Sequence, residues 1–225
     1  GYPINNNDKN AVFSVSADGR EILLMNKYNK GGKLSPGISR SYRTRDGWAY
    51  PEEVKIDNYY NQSPNAEFAV SPDGSVMVMS IQRKNTTGKR DLYVAFKKDK
   101  NTWTEPINMS KQLNTFEHDV TPFIAADGKT LYFSTQGLPG YGDNDIFKSQ
   151  RLDETWQLWS EPENLGPAIN TPNWDGYFTI PASGDYAFIC SINASKKEDI
   201  YRLELPKTAK PEPVAIISGN VLSTS

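Results

Sequence analysis

One turn recurs along this chain at a nearly constant interval, and that period restricts the possible folds more than any other feature. Asp-Gly turns stand at Ala17-Asp18-Gly19, Pro72-Asp73-Gly74 and Ala126-Asp127-Gly128, with a degenerate copy at Ala182-Ser183-Gly184. The glycines lie 55, 54 and 56 residues apart. Asn5, Asn61, Asn114 and Asn170 precede them by about 14 residues. An apolar run follows each turn: Ile22–Met25, Val76–Met79, Leu131–Phe133 and Tyr186–Ile189. A further strand opens at Asp91-Leu92-Tyr93, Asp145-Ile146-Phe147 and Asp199-Ile200-Tyr201, and its first-copy counterpart reads as Arg40-Ser41-Tyr42. Trp-x-x-Pro closes three copies, at Trp48, Trp103 and Trp159, and is missing from the fourth. Such self-similarity is the signature of a repeat architecture.

Each repeat reads as a small antiparallel meander. Asp-Gly favours a hairpin because glycine accepts positive φ without steric cost. The flanking strands are short and mostly apolar, as in sheets covered on both faces. Fifteen prolines and sixteen glycines spread between them argue against helices. A single sheet of this size cannot cover both its faces, whereas sheets packed around an axis can. The expected fold is therefore all-β: a β-propeller with four visible blades of four antiparallel strands, alone or within a larger ring. The repeats span about 5–60, 61–113, 114–169 and 170–205, inside a propeller domain of residues 1–205. Extra length falls in loops such as Asn85–Lys89 and Gly137–Asp143.

Composition removes several function classes. The formal net charge of −2 offers no basic field for nucleic acid. The run Lys97, Lys98, Asp99, Lys100 reads as a solvated turn. No stretch of about 18 apolar residues could span a membrane as a helix. Cys190 is the single cysteine, so no intrachain disulfide can form, and its apolar neighbours suggest a small buried side chain. No signal peptide opens the chain, and its abrupt start at Gly1-Tyr2-Pro3 reads as a cut in a longer precursor.

The pattern Ser-Pro-Asp-Gly, apolar strand, Asp-Ile-Tyr, Trp-x-x-Pro-x-Asn-Leu-Gly resembles the WD40-like repeats of TolB-type propellers. The best copy runs from Thr121 to Asn170, and the resemblance covers about residues 1 to 205. Gly1-Tyr2-Pro3-Ile4-Asn5 aligns with Gly166-Pro167-Ala168-Ile169-Asn170, which suggests another blade upstream. Residues 206–213, with Pro206, Pro211 and Pro213, read as a linker. Residues 214–225 read as the start of a following β-domain or as a closing strand. This order is similar to OmpA-type multi-domain envelope proteins of Gram-negative bacteria. That resemblance implies a periplasmic, outer-membrane-associated scaffold whose partners are other envelope proteins or cell-wall glycan.

Little in the sequence carries chemistry. His118 is the only histidine, so any Ser-His or Cys-His pair would need it, and no nucleophile elbow occurs. One His and one Cys do not make a zinc site, and Gly137–Gly142 lacks what a phosphate loop needs. No cofactor or metal is expected. The serious candidates are the residues nine before each turn glycine, Asn10, Asn65, Asp119 and Asp175, which would open the innermost strands on the axial rim. Two acids and two amides there could bind a cation, a sugar or a basic side chain, or merely tie strand ends. Asp91, Asp145 and Asp199 recur and so read as structural. Tyr59, Tyr60, Tyr141 and Trp174 fall out of step in loops and are candidate contact residues. The leading expectation is a non-catalytic binding propeller. The rival is a glycoside hydrolase or lyase working through paired carboxylates.

Overall fold

The computed structural model describes residues 3–5, 10–16, 18–29, 33–192 and 195–215. Gly1, Tyr2, Ala17 and nearly all of the segment 214–225, expected to start a β-domain or close the ring, lie outside the described residues. Blade I consists of β1 (Val12–Val15), β2 (Glu21–Tyr28) and β3 (Leu34–Thr44), with the short β4 (Gly47–Trp48) and β5 (Glu52–Glu53) both paired to β3. After β6 (Lys55–Ile56), blade II runs β7 (Glu67–Val70), β8 (Val76–Ile81), β9 (Asp91–Phe96), β10 (Thr102–Trp103) and β11 (Ile107–Asn108). β6 pairs in parallel with β10 and so stitches blade I to blade II. Blade III is β12 (Asp119–Ile124), β13 (Thr130–Thr135), β14 (Asp145–Gln150) and β15 (Glu163–Asn164). Among the described residues blade IV has three strands, β16 (Asp175–Thr179), β17 (Tyr186–Ile192) and β18 (Glu198–Glu204), and it lacks the Trp-x-x-Pro element that closes the other copies. The only helix among the described residues is one 3-10 turn, Lys207–Ala209, so none is long and apolar enough to cross a membrane.

Four sheets thus form a β-propeller, and the core lies between them rather than within them. Leu23 and Ile38 of blade I pack on Met77 and Met79 of blade II. Val78 and Leu92 of blade II pack on Leu131 and Phe133 of blade III, with Trp159. Tyr132 and Ile146 of blade III pack on Phe178 and Ile189 of blade IV. Innermost strands line up in order, β1 beside β7, β7 beside β12 and β12 beside β16. That series stops at blade IV: among the described residues β16 does not pack on β1 in this way.

The turn glycines behave as their spacing predicts. Gly19, Gly74, Gly128 and Gly184 all have φ between 67° and 72°. In three of the turns the aspartate accepts the next strand's backbone N–H groups, as Asp127 does from Lys129 and Thr130.

Register corrects one alignment. Ser80 pairs with Leu92, and the equivalent Met25 pairs with Ile38. The first-copy counterpart of Asp91-Leu92-Tyr93 is therefore Gly37-Ile38-Ser39, three residues before Arg40-Ser41-Tyr42. Opposite Asn26, at φ 73°, a bulge sets two residues of β3, Pro36 and Gly37, against one of β2 and shifts the spacing. Cys190 also departs from expectation. It is half-buried, and among the described residues no blade covers that face of β17.

Candidate binding face

At one end of the axis the chain crosses from each blade to the next, and the loops between second and third strands emerge beside those crossings. Two networks repeat there. Asn114 accepts the N–H of Leu92 at 2.7 Å and donates to the same residue's C=O at 3.0 Å. Asn170 does the same to Ile146, at 2.8 and 3.0 Å. Each amide thus imitates a strand partner for the third strand of the blade it leaves. Asn108 and Asn164, from the Pro-x-Asn element, bridge these clasps to Asp91 and Asp145. The crossings are pinned further by the next blade: Asp119 N–H donates to Arg90 C=O and Asp175 N–H to Asn144 C=O.

Asp119 and Asp175 open the innermost strands β12 and β16, and both are fully buried. Asp119 accepts the Thr115 N–H at 2.7 Å and the Thr115 hydroxyl at 3.0 Å. Asp175 accepts the Thr171 N–H at 2.6 Å and the Thr171 hydroxyl. Asp91 and Asp145 close loops of the same length, accepting the N–H of Thr87 and Tyr141. All four carboxylates therefore tie a loop to the head of a strand. Burial pushes Asp119 up to about 7, and it raises Asp91 and Asp175 as well. Asn65 uses its backbone C=O to accept from Asn61, and Asn10 accepts the Tyr28 hydroxyl at 2.9 Å. The four rim candidates share a repeat position, but the two acids are enclosed by their own loops.

His118 accepts from Arg90 Nε on Nδ1 at 3.4 Å, and Arg90 is also paired with Glu67 at the head of β7. Burial, then the charges of Arg90 and Lys89, hold His118 below the usual histidine range. Among the described residues no three His, Cys, Asp or Glu side chains converge as metal ligands.

The loop aromatics divide. Tyr59 is partly buried against Phe68, and burial pushes its phenol up to about 12. Tyr60 is exposed, with the Arg83 guanidinium 4.3 Å from its ring centroid and the Lys84 N–H donating to its hydroxyl. Tyr141 is exposed, and Trp174 is half-buried with its ring 5.8 Å from that of Tyr177. Sequence reasoning missed two further exposed aromatics of this face, Phe116 and Tyr177. Phe116 carried a signal, since it stands directly after the loop-closing Thr115, where the next copy has Pro172. Tyr177 carried none. It is exposed because a bulge with φ 51° turns it out of β16.

Blade I departs from this scheme in one place. Gly37 stands where blades II and III have Asp91 and Asp145, and the Lys27 stem lies over its Cα. Glu53, in the position of Asn108 and Asn164, pairs with Lys27 at 2.6 Å. A cavity of about 320 Å³ opens there, lined by Lys27, Gly37, Glu53, Lys55, Ile56 and Tyr59.

The fold is similar to that of solved propellers. The putative TolB of Agrobacterium tumefaciens superposes with a TM-score of 0.51 at 17% identity, over 88% of this chain and 59% of that one. The periplasmic gluconolactonase of Pseudomonas aeruginosa gives 0.47 at 11% identity, over 85% and 55%. The alpha-L-arabinofuranosidase of Lactobacillus brevis gives 0.48 at 11% identity, over 91% and 75%. The chain thus spans less than two thirds of the first two. At these identities the likeness is one of fold alone, and a fold does not fix a function. No family model and no curated protein matches the sequence.

Proposed function

We propose that this chain is a non-catalytic binding scaffold of the cell envelope, periplasmic and associated with the outer membrane, that holds a protein or glycan partner on its loop-bearing end. The observation that carries the reading is the division of labour on that end. The recurrent carboxylates are enclosed and spent on closing loops, while Tyr60, Phe116, Tyr141 and Tyr177 stand exposed around them. Aromatic side chains with a polar tip are the usual anchors of protein contacts. The envelope setting rests on the repeat's resemblance to TolB-type and OmpA-type proteins. The test is binding to solubilised cell-wall glycan and to purified envelope proteins. Tyr60→Ala, Phe116→Ala and Tyr141→Ala should each weaken binding about tenfold, the effect of losing one modest anchor. Unchanged binding in all three would remove the loop face from the reading.

One observation favours a second reading. A carboxyl held near 7, as in Asp119, has the proton affinity of a general acid. A glycoside hydrolase or lyase would need Asp119 and Asp175 to reach substrate, so their loops would have to open. Polysaccharide cleavage lost in both Asp119→Asn and Asp175→Asn would establish the enzyme and overturn the scaffold.

A further inference from the structure

The crossing from blade II to blade III carries the chain's single histidine, and it is tied differently from the crossing that follows. His118 stands directly before Asp119, at the repeat position that Trp174 fills before Asp175. Its Nδ1 accepts from Arg90 Nε at 3.4 Å, and Glu67 at the head of β7 holds Arg90 by an ion pair. Arg90 C=O in turn accepts the Asp119 N–H at 2.8 Å. One residue of the β8–β9 loop thus grips the crossing twice, by side chain and by backbone. Asn144, at the same position in blade III, repeats the backbone grip on Asp175, while its amide donates to Ser134 within its own blade.

Chemistry makes the side-chain grip conditional. Arginine keeps its proton in proteins, so Arg90 Nε can only donate and His118 Nδ1 must offer a lone pair. The neutral ring is therefore the Nε2–H tautomer. A further proton has only Nδ1 to go to, where it would set one N–H against another and one cation against another. Among the described residues, the charges that face the ring are Arg90 and Lys89 of the β8–β9 loop, Glu67 of β7 and Glu117 of its own crossing. Lys89 pairs with Glu117 at 2.5 Å and Arg90 with Glu67, so both carboxylates are already matched by a cation. The Asp119 carboxyl, next in sequence, is turned to Thr115. Tyr177 of β16 faces Glu67 and Arg90 across the axis. Burial and the two cations hold the ring below its ordinary 6.5.

The geometry points to an acid-sensitive latch between blades II and III: protonation of His118 breaks its bond to Arg90 and loosens the crossing 115–118, which carries the exposed Phe116. The latch is closed above about pH 6.5, the ordinary histidine value. As pH falls below that, the opened crossing takes up a proton more readily than the closed one, and the closed form loses ground. Asp119 acts in the opposite sense, because its raised proton affinity favours the closed form at low pH. Release of a partner on acidification rests on the binding reading above, whereas the latch stands without it.

NMR of the free chain tests the latch, since one histidine gives one titration curve. His118 should titrate below 6.5 and hold the Nε2–H tautomer at high pH. The Asp119 N–H spans the junction, so its hydrogen-exchange protection factor should fall about tenfold between roughly pH 7.5 and pH 5 in the wild type. His118→Gln keeps an acceptor for Arg90 that takes no proton, and it should show no such fall. Asp119 titrates in both proteins, so the difference between them belongs to His118. A purely structural histidine would instead leave His118→Gln poorly protected at both pH values. His118→Lys sets a permanent cation beside Arg90 and should lower protection already near pH 7.5, with the far-UV spectrum unchanged. An ordinary titration of His118, or a fall in His118→Gln equal to that of the wild type, would overturn the proposal. So would full Asp119 protection in a folded His118→Lys chain.

Discussion

Asn114 and Asn170 each bond both backbone groups of a buried residue, Leu92 and Ile146, whose C=O also accepts a backbone N–H, from Met109 and Leu165. Removing such an amide leaves the C=O with its backbone partner but orphans the buried N–H, which costs about 1–3 kcal/mol. Asn170→Ala should therefore lower the unfolding free energy in urea by about 1–3 kcal/mol, with no comparable loss for alanine at the exposed Asn65. Asp119 makes a second prediction. Its carboxyl binds a proton up to about pH 7 in the folded chain, against an ordinary value of 3.8. The native state then holds the extra proton, so this group's stabilisation is complete below about pH 4 and is lost as pH rises through 7. From pH 5 to pH 8 the wild type should lose about 2 kcal/mol relative to Asp119→Asn, read from urea midpoints at both pH values. The recurrence of these residues was legible because a structural tie is needed once per blade. Enclosure of Asp119 by Thr115 was not, since a rim carboxylate and a loop-closing one share the same spacing.

At the scale of the element, the Asp-Gly hairpin is the most readable unit. Gly128 has φ 68°, and the space a Cβ would take up is open, with nothing within 4 Å, so the cost of Gly128→Ala is purely conformational. It should destabilise blade III by about 1–2 kcal/mol, while Gly128→Asn should recover part of that, measured by thermal melts. Strand identity and order followed from the same turns. What the pattern hid was register in blade I, where the extra β3 residue opposite Asn26 leaves Gly37 in the position of Asp91. A single inserted residue leaves hydrophobic spacing almost intact, so Arg40-Ser41-Tyr42 looked equivalent. Blade IV hid more. Phe188 and Ile200 have the same apolar character as Tyr132 and Ile146, and only packing distinguishes a covered face from an open one.

Across the molecule, stability should follow the junctions. Blades II and III are covered on both sides and hold the largest buried side chains, including Trp159, Tyr93 and Tyr132. Among the described residues blade IV is covered on one side, and β18 is exposed along nearly its whole length. In solution at low concentration, native-state hydrogen exchange should open β18 and β17 first and β8, β9 and β13 last, since repeat arrays lose their least-supported unit before the rest. Equal protection across all blades would mean that blade IV is covered in solution. The exit of the chain matters mechanically as well. Ala209 is buried at the junction of blades III and IV, and Glu212 N–H donates to Asp127 in the hairpin of blade III. A pull on the C-terminal side is therefore delivered first to an interior blade, through buried Ala209 and the Glu212–Asp127 bond, and not to the exposed edge strand β18.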